Sequence, residues 1–137
     1  MDTREIEVST GSRAGLTDLT DACRAFLAEV ASGADGLLNV FVPHATAGVV
    51  IVELGSGSDD DLVDALARLL PRDDRWRHAH GSRGHGADHV LPLLVAPGVS
   101  VPVVGGHAQL GTWQSIALLD PNLDNPTRRV RLSFLAG

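Results

Sequence analysis

Gly36-Leu37-Leu38-Asn39-Val40-Phe41-Val42-Pro43-His44-Ala45-Thr46-Ala47-Gly48-Val49-Val50-Ile51-Val52-Glu53 is the stretch whose reading decides the fold. It holds two compact apolar runs, residues 36–43 and 46–53, joined by a tight Pro43-His44-Ala45 connection. Continuous apolar runs of this length predict strands covered on both faces. Upstream, residues 3–9 alternate Ile6 and Val8 with polar neighbours, which predicts a half-buried first strand. Thr10-Gly11-Ser12 reads as a turn. Thr17 is then the expected N-cap of a helix over 18–31, with Leu19, Cys23, Phe26, Leu27 and Val30 at helical spacing and Gly33 as its stop. Downstream, Ser58 or Asp59 caps a second helix. Leu62, Leu66, Leu69 and Leu70 form its apolar side and Pro71 ends it. Residues 72–88 read as a long polar loop, and 89–95 as a short helix or strand. Strands follow at 99–104, 110–119 and 128–135, with Gly105-Gly106-His107 as a hairpin turn. In the last strand Val130, Leu132 and Phe134 alternate with Arg129, Arg131 and Ser133. Many strands with two inserted helices and no regular βαβ repeat make this an α+β chain, one domain over residues 1–137.

Composition bounds the chemistry. The chain has 137 residues, 44% of them hydrophobic and 20% charged, so it can bury a core without disulfide staples. Cys23, the single cysteine, cannot form an intrachain disulfide. The formal net charge is -6, which argues against a general nucleic-acid surface. All 11 Lys+Arg positions are Arg, so no lysine side chain can form a Schiff base. Tyr is absent and aromatics are 4%, leaving little to stack on bases. No basic segment followed by an apolar run begins the sequence, and no apolar run reaches the roughly 18 to 20 residues that span a bilayer. These features lead us to expect a cytoplasmic protein with neither membrane nor nucleic acid as partner.

Histidine carries the chemical signal. Of the 6 histidines, four (His78, His80, His85 and His89) fall between positions 78 and 89; the others are His44 and His107. Neutral imidazole suits Zn, Ni, Cu and Fe, and Asp88 or Glu53 can complete or orient such a site. His85 and His89 share a face if their stretch is helical. Spacing alone fits a metal site and a solvated loop of surface histidines equally. His44, between two apolar runs, reads as a turn histidine or as a base, anion ligand or metal ligand at a sheet end. Asp59-Asp60-Asp61 fits helix capping, with Mg²⁺ binding as the other reading. Gln114 can hydrogen-bond a ligand or face outward beside a core Trp113. Arg128, Arg129 and Arg131 fit a phosphate site or a solvated strand face.

His44-Ala45-Thr46-Ala47-Gly48-Val49, Glu53, His78, His89, Val101-Pro102-Val103 and Leu110-Gly111-Thr112-Trp113-Gln114, in this order across the whole chain, resemble the YjbQ-like family, also called secondary thiamine-phosphate synthase-like. The resemblance implies a β-sandwich of about seven strands with two main helices that assembles as a homotrimer. It implies a pocket in which His44, His78, His89 and Glu53 are catalytic and Thr46, Gly48, His85, Trp113 and Gln114 bind substrate. His44, His78 and His89 are the implied holders of a divalent metal, Zn or Mg, beside a small phosphorylated ligand. The implied reaction joins a pyrimidine methyl diphosphate to a thiazole phosphate with loss of pyrophosphate. A metal- or phosphate-binding protein without catalysis is the alternative. The sequence departs from the family pattern in three places. His85 follows Gly84 where many members have Asn, residues 122–127 stand where many have an acidic residue and then Asp-Gly-Pro-Arg, and His107 stands where others have a basic residue.

Overall fold

The computed structural model describes residues 1–121 and 123–137. Asn122, part of the departing segment, lies outside the described residues. Among the described residues the order is β1 (Asp2–Ser9), β2 (Gly15–Asp18), α1 (Thr20–Val30), β3 (Gly36–Phe41), β4 (Gly48–Val52), α2 (Ser58–Leu69), α3 (His85–Asp88), a 3₁₀ turn (Leu91–Leu93), β5 (Gly98–Val104), β6 (His107–Ala108), β7 (Ser115–Asp120) and β8 (Thr127–Ala136). The α+β class holds. The strands form two antiparallel sheets, ordered β1-β8-β3-β5-β6 and β2-β7-β4. The described residues thus hold eight strands rather than about seven.

One core serves both sheets. Leu38 and Val40 of β3, Val101 and Val103 of β5, Val130, Leu132 and Phe134 of β8, and Ile116 and Leu118 of β7 meet Cys23, Phe26 and Leu27 of α1 there. Period-2 alternation in β8 puts its apolar residues into this core and leaves Arg129 and Arg131 in water. A second, smaller cluster joins Leu70, Ala87, Leu91 and Leu119 beneath α2. Among the described residues no helix is long and apolar enough to cross a membrane.

Three expected boundaries move: a strand takes residues expected of a helix start, and two strands begin later than their apolar runs. Thr17 is not an N-cap. It pairs with Leu118 in β2, and α1 begins at Thr20, whose N–H donates to Asp18 Oδ1 at 2.8 Å. Thr20 Oγ1 accepts from the Ile116 N–H at 3.0 Å, stitching the helix start to β7. The run at 46–53 becomes a strand only from Gly48. A Cβ there would lie 2.5 Å from Val95 Cγ1, so this close approach requires glycine. The expected strand at 110–119 begins at Ser115. Residues 111–114 form a turn in which the Gly111 N–H donates to Gln114 Oε1 at 2.8 Å. Trp113 is consequently 74% exposed on that turn, not a core residue.

Candidate functional site

The segment after α2 builds the site. It is not wholly irregular, because its end winds into α3. Gly84, at φ +76°, starts that turn, and a Cβ on it would lie 2.5 Å from the Arg72 carbonyl carbon. Gly86 packs so closely that its Cβ would fall 2.4 Å from Trp76 Cβ. Gly84 and Gly86 are therefore what lets the segment fold back over Arg72 and Trp76. Gly84→Ala is expected to cost about 1–3 kcal/mol through left-handed strain plus the clash. Urea unfolding checks this, and an unchanged midpoint would contradict it.

Folding back brings four imidazoles together. Ring centroids lie 4.0 Å apart for His78 and His80, 4.2 Å for His78 and His89, and 4.7 Å for His85 and His89. His80 and His85 stand 5.6 Å apart. Nε2 of His85 is 3.0 Å from Nε2 of His89. One ring nitrogen each from His78, His80 and His85 falls within 4.8 Å of the others. His85 is buried, His89 half-buried, His78 and His80 exposed.

A polar frame holds His85. Its Nδ1 is 3.3 Å from Asp88 Oδ2 and 3.6 Å from Asp124 Oδ2. Asp88, 2% exposed, forms an ion pair through Oδ1 with Arg72 Nη1. Arg72 also donates from Nη2 to Ser82 Oγ at 3.2 Å and from Nη1 to the Pro121 carbonyl at 3.3 Å. Ser82 in turn donates to Asp124 Oδ2. The frame thus ties the end of α2, the histidine loop, α3 and the segment after β7 around one imidazole.

His44 is not among the four clustered rings, but it lies near enough to His85 for that imidazole to help lower its pKa. The Thr46 N–H donates to its Nδ1 at 3.3 Å, and the Thr46 hydroxyl lies 3.0 Å from the same nitrogen. His44 lines a cavity of about 260 Å³ with Pro43, Asn125, Thr127, Arg128 and Arg129. Arg128 is buried, not a solvated residue. Its Nε is 2.9 Å from Asp120 Oδ2, and both side chains are 1% exposed.

Partial withdrawal from water lowers the pKa values of His44, His78 and His89. Arg128 adds to this at His44, His80 and His85 at His78, and mainly His78 and His85 at His89, where Asp88 opposes it. At neutral pH these rings therefore offer lone pairs. Such groups bind fewer protons folded than unfolded, so their stability is complete above the ordinary value of 6.5 and is lost as pH falls below it. Thermal melts of chelator-treated protein are expected to hold steady above that value and drop below it. A flat profile across that window would contradict the assignment.

Residues 4–137 match the family described as UPF0047 protein YjbQ-like. The chain belongs to the UPF0047 YjbQ-like family. "UPF0047 protein Rv2556c" of Mycobacterium tuberculosis is 66% identical over 137 residues, covering 100% of each chain. The crystal structure of hypothetical protein APE1520 from Aeropyrum pernix K1 superposes with a TM-score of 0.89 at 31% identity, covering 100% of both chains. A YbjQ-like protein of unknown function from Sulfolobus solfataricus P2 has a TM-score of 0.91 at 24% identity over 99% of this chain, a likeness of fold.

On this UPF0047 scaffold the expected residues separate. His78, His85 and His89 meet in the cluster, and His80 joins them although only its place in the histidine-rich loop pointed to it. His44 and Thr46 form the neighbouring pocket wall. Glu53 is exposed just past β4, with no hydrogen bond or ion pair to the histidines among the described residues. Gly48 is buried against Val95 and Ala96, and Trp113 and Gln114 are exposed on their turn. Asp124, Arg72 and the Asp120–Arg128 pair were not anticipated. Their partners lie eight or more residues away, beyond what helix or strand spacing announces.

Proposed function

We propose that the histidine cluster holds one divalent transition metal and that the adjoining cavity takes a small phosphorylated ligand. The observation that carries this is the 3.0 Å approach of two Nε2 atoms, flanked by two further imidazoles. Two imidazole nitrogens that close converge on a shared proton or a shared cation. An all-nitrogen donor set backed by a carboxylate suits zinc, whereas magnesium demands oxygen ligands. No thiolate competes, since burial pushes the Cys23 thiol up to about 12.

The reaction implied by the family resemblance is displacement of pyrophosphate from a pyrimidine methyl diphosphate by a thiazole phosphate nitrogen. One C–N bond forms as one C–O bond breaks. A divalent cation in the cluster would supply Lewis acidity toward the departing diphosphate. Arg72 and Arg128 are already committed to carboxylates, so neither is a spare cation for it. The chain's own contribution is to orient the ligand with the side chains of the cavity wall, His44, Asn125, Thr127 and Arg129. Assembly as a homotrimer is the matching proposal. It is supported by Leu37, Leu135 and Val104, about half exposed on the five-stranded sheet, with Leu37 and Leu135 directly paired across β3 and β8.

The test is thermal stabilisation of metal-free protein by zinc, then by inorganic pyrophosphate, with product assay from the two phosphorylated substrates. Zinc followed by pyrophosphate should each raise Tm. No shift with either would refute the binding reading, and full turnover in His44→Ala and His89→Ala would refute the catalytic one. Light scattering should give three times the 14.4 kDa chain mass; a monomer would refute the trimer.

A further inference from the structure

The fold commits one ring nitrogen each of His85 and His44, in opposite senses. His85 Nδ1 faces two carboxylate oxygens, Asp88 Oδ2 at 3.3 Å and Asp124 Oδ2 at 3.6 Å, and neither this nitrogen nor Asp88 Oδ2 is taken up by a hydrogen bond among the described residues. A carboxylate accepts and cannot donate, so the nitrogen facing it carries the proton. Arg72 anchors the other carboxylate oxygen, which keeps the group from turning away without breaking a buried ion pair. The His85 Nε2 that meets His89 is therefore a bare lone pair.

At His44 the order is reversed. A backbone N–H can only donate, and the Thr46 N–H points at Nδ1 from 3.3 Å, so Nδ1 is the lone-pair nitrogen and the Thr46 hydroxyl, 3.0 Å away, is left to donate to it as well. Nε2 then carries the proton. It belongs to a ring lining the cavity shared with Asn125, Thr127 and two arginines. An N–H donor suits phosphate oxygens and does not suit a metal, and the exposed Arg129 on the same wall adds positive charge, whereas Arg128 is held by Asp120.

Resting on the metal-and-phosphate reading above, we infer that His85 is a metal ligand through Nε2 with its tautomer set by Asp88, and that His44 is a hydrogen-bond donor to the ligand's phosphate. Asp88 is then a positioning residue. The division separates two roles that the family resemblance merges, since His44 leaves the ligand set and His85 enters it.

The experiment is long-range proton–nitrogen spectroscopy of chelator-treated protein labelled with ¹⁵N-histidine, at about pH 8 where imidazoles are neutral. The expected spectrum has Nδ1 protonated and Nε2 bare in His85, and the reverse in His44. Zinc should shift the His85 Nε2 signal while leaving the His44 tautomer in place. Inorganic pyrophosphate, added next, should shift His44. A reversed tautomer at either residue, zinc entering at His44, or pyrophosphate leaving His44 unmoved overturns the inference. Both tautomers as stated with no zinc bound overturns the metal site itself, so the two failures are distinguishable. Asp88→Asn should let His85 populate both tautomers and weaken zinc binding about 10–100-fold, with recovery in Asp88→Glu. Should Asp88→Asn not fold, the spectra of the unsubstituted protein decide alone.

Discussion

Arg128→Met is expected to destabilise the protein by about 3–5 kcal/mol, the usual cost of removing one member of a buried ion pair. Arg128 sits at the start of β8 and Asp120 at the end of β7, on either side of the segment that carries Asp124. Its Nε lies 2.9 Å from Asp120 Oδ2, its Nη2 3.4 Å from Oδ1, and its Nη1 donates to the Thr127 carbonyl at 2.9 Å. Methionine fills much of the same volume but leaves the Asp120 carboxylate without this cation. Asp120→Asn in the same chain removes the charge that the arginine balanced. The double variant is therefore expected to lose less than the sum of the single losses. Urea unfolding of the four proteins measures both quantities. A loss below about 1 kcal/mol for Arg128→Met, the scale of an exposed pair, would show that this pair does not anchor the segment.

The second large effect concerns the cluster. His78→Ala with His89→Ala is expected to weaken zinc binding by more than about 100-fold, beyond the loss that outer hydrogen-bond partners give. His78 is exposed and His89 half-buried, so their removal takes little from either hydrophobic core. The fold should survive, as far-ultraviolet dichroism would record. Calorimetric titration with zinc reads the affinity. A double variant that binds zinc as well as the unsubstituted chain would move the metal elsewhere or remove it from the account.

Much of the architecture is written locally. The 3.6-residue spacing of α1 and α2 and the alternation of β8 fixed those elements to within a few residues. The errors arose where a neighbour outbid local propensity. Leu16 and Thr17 sit beside a capping sequence, yet the apolar β7 needs a strand on each side, and they supply the second. Arg128 is more instructive. Period-2 parity places it on the same face as Val130, Leu132 and Phe134, so its inward direction was legible. What alternation cannot supply is the buried Asp120 that makes an inward arginine tolerable. The site was half legible. The density of histidines between residues 78 and 89 marked the loop, whereas the convergence of four rings depends on Gly84 and Gly86 packing against Arg72 and Trp76. Asp124 reaches His85 from a different part of the chain, and no spacing rule connects them.

Metal content of untagged protein purified without chelators, beside His89→Ala, tests the central claim most directly. About one zinc per chain, lost in the variant, is the expected result for a three- or four-imidazole site. Protein that is metal-free after exposure to zinc, or a variant that keeps its metal, would contradict it.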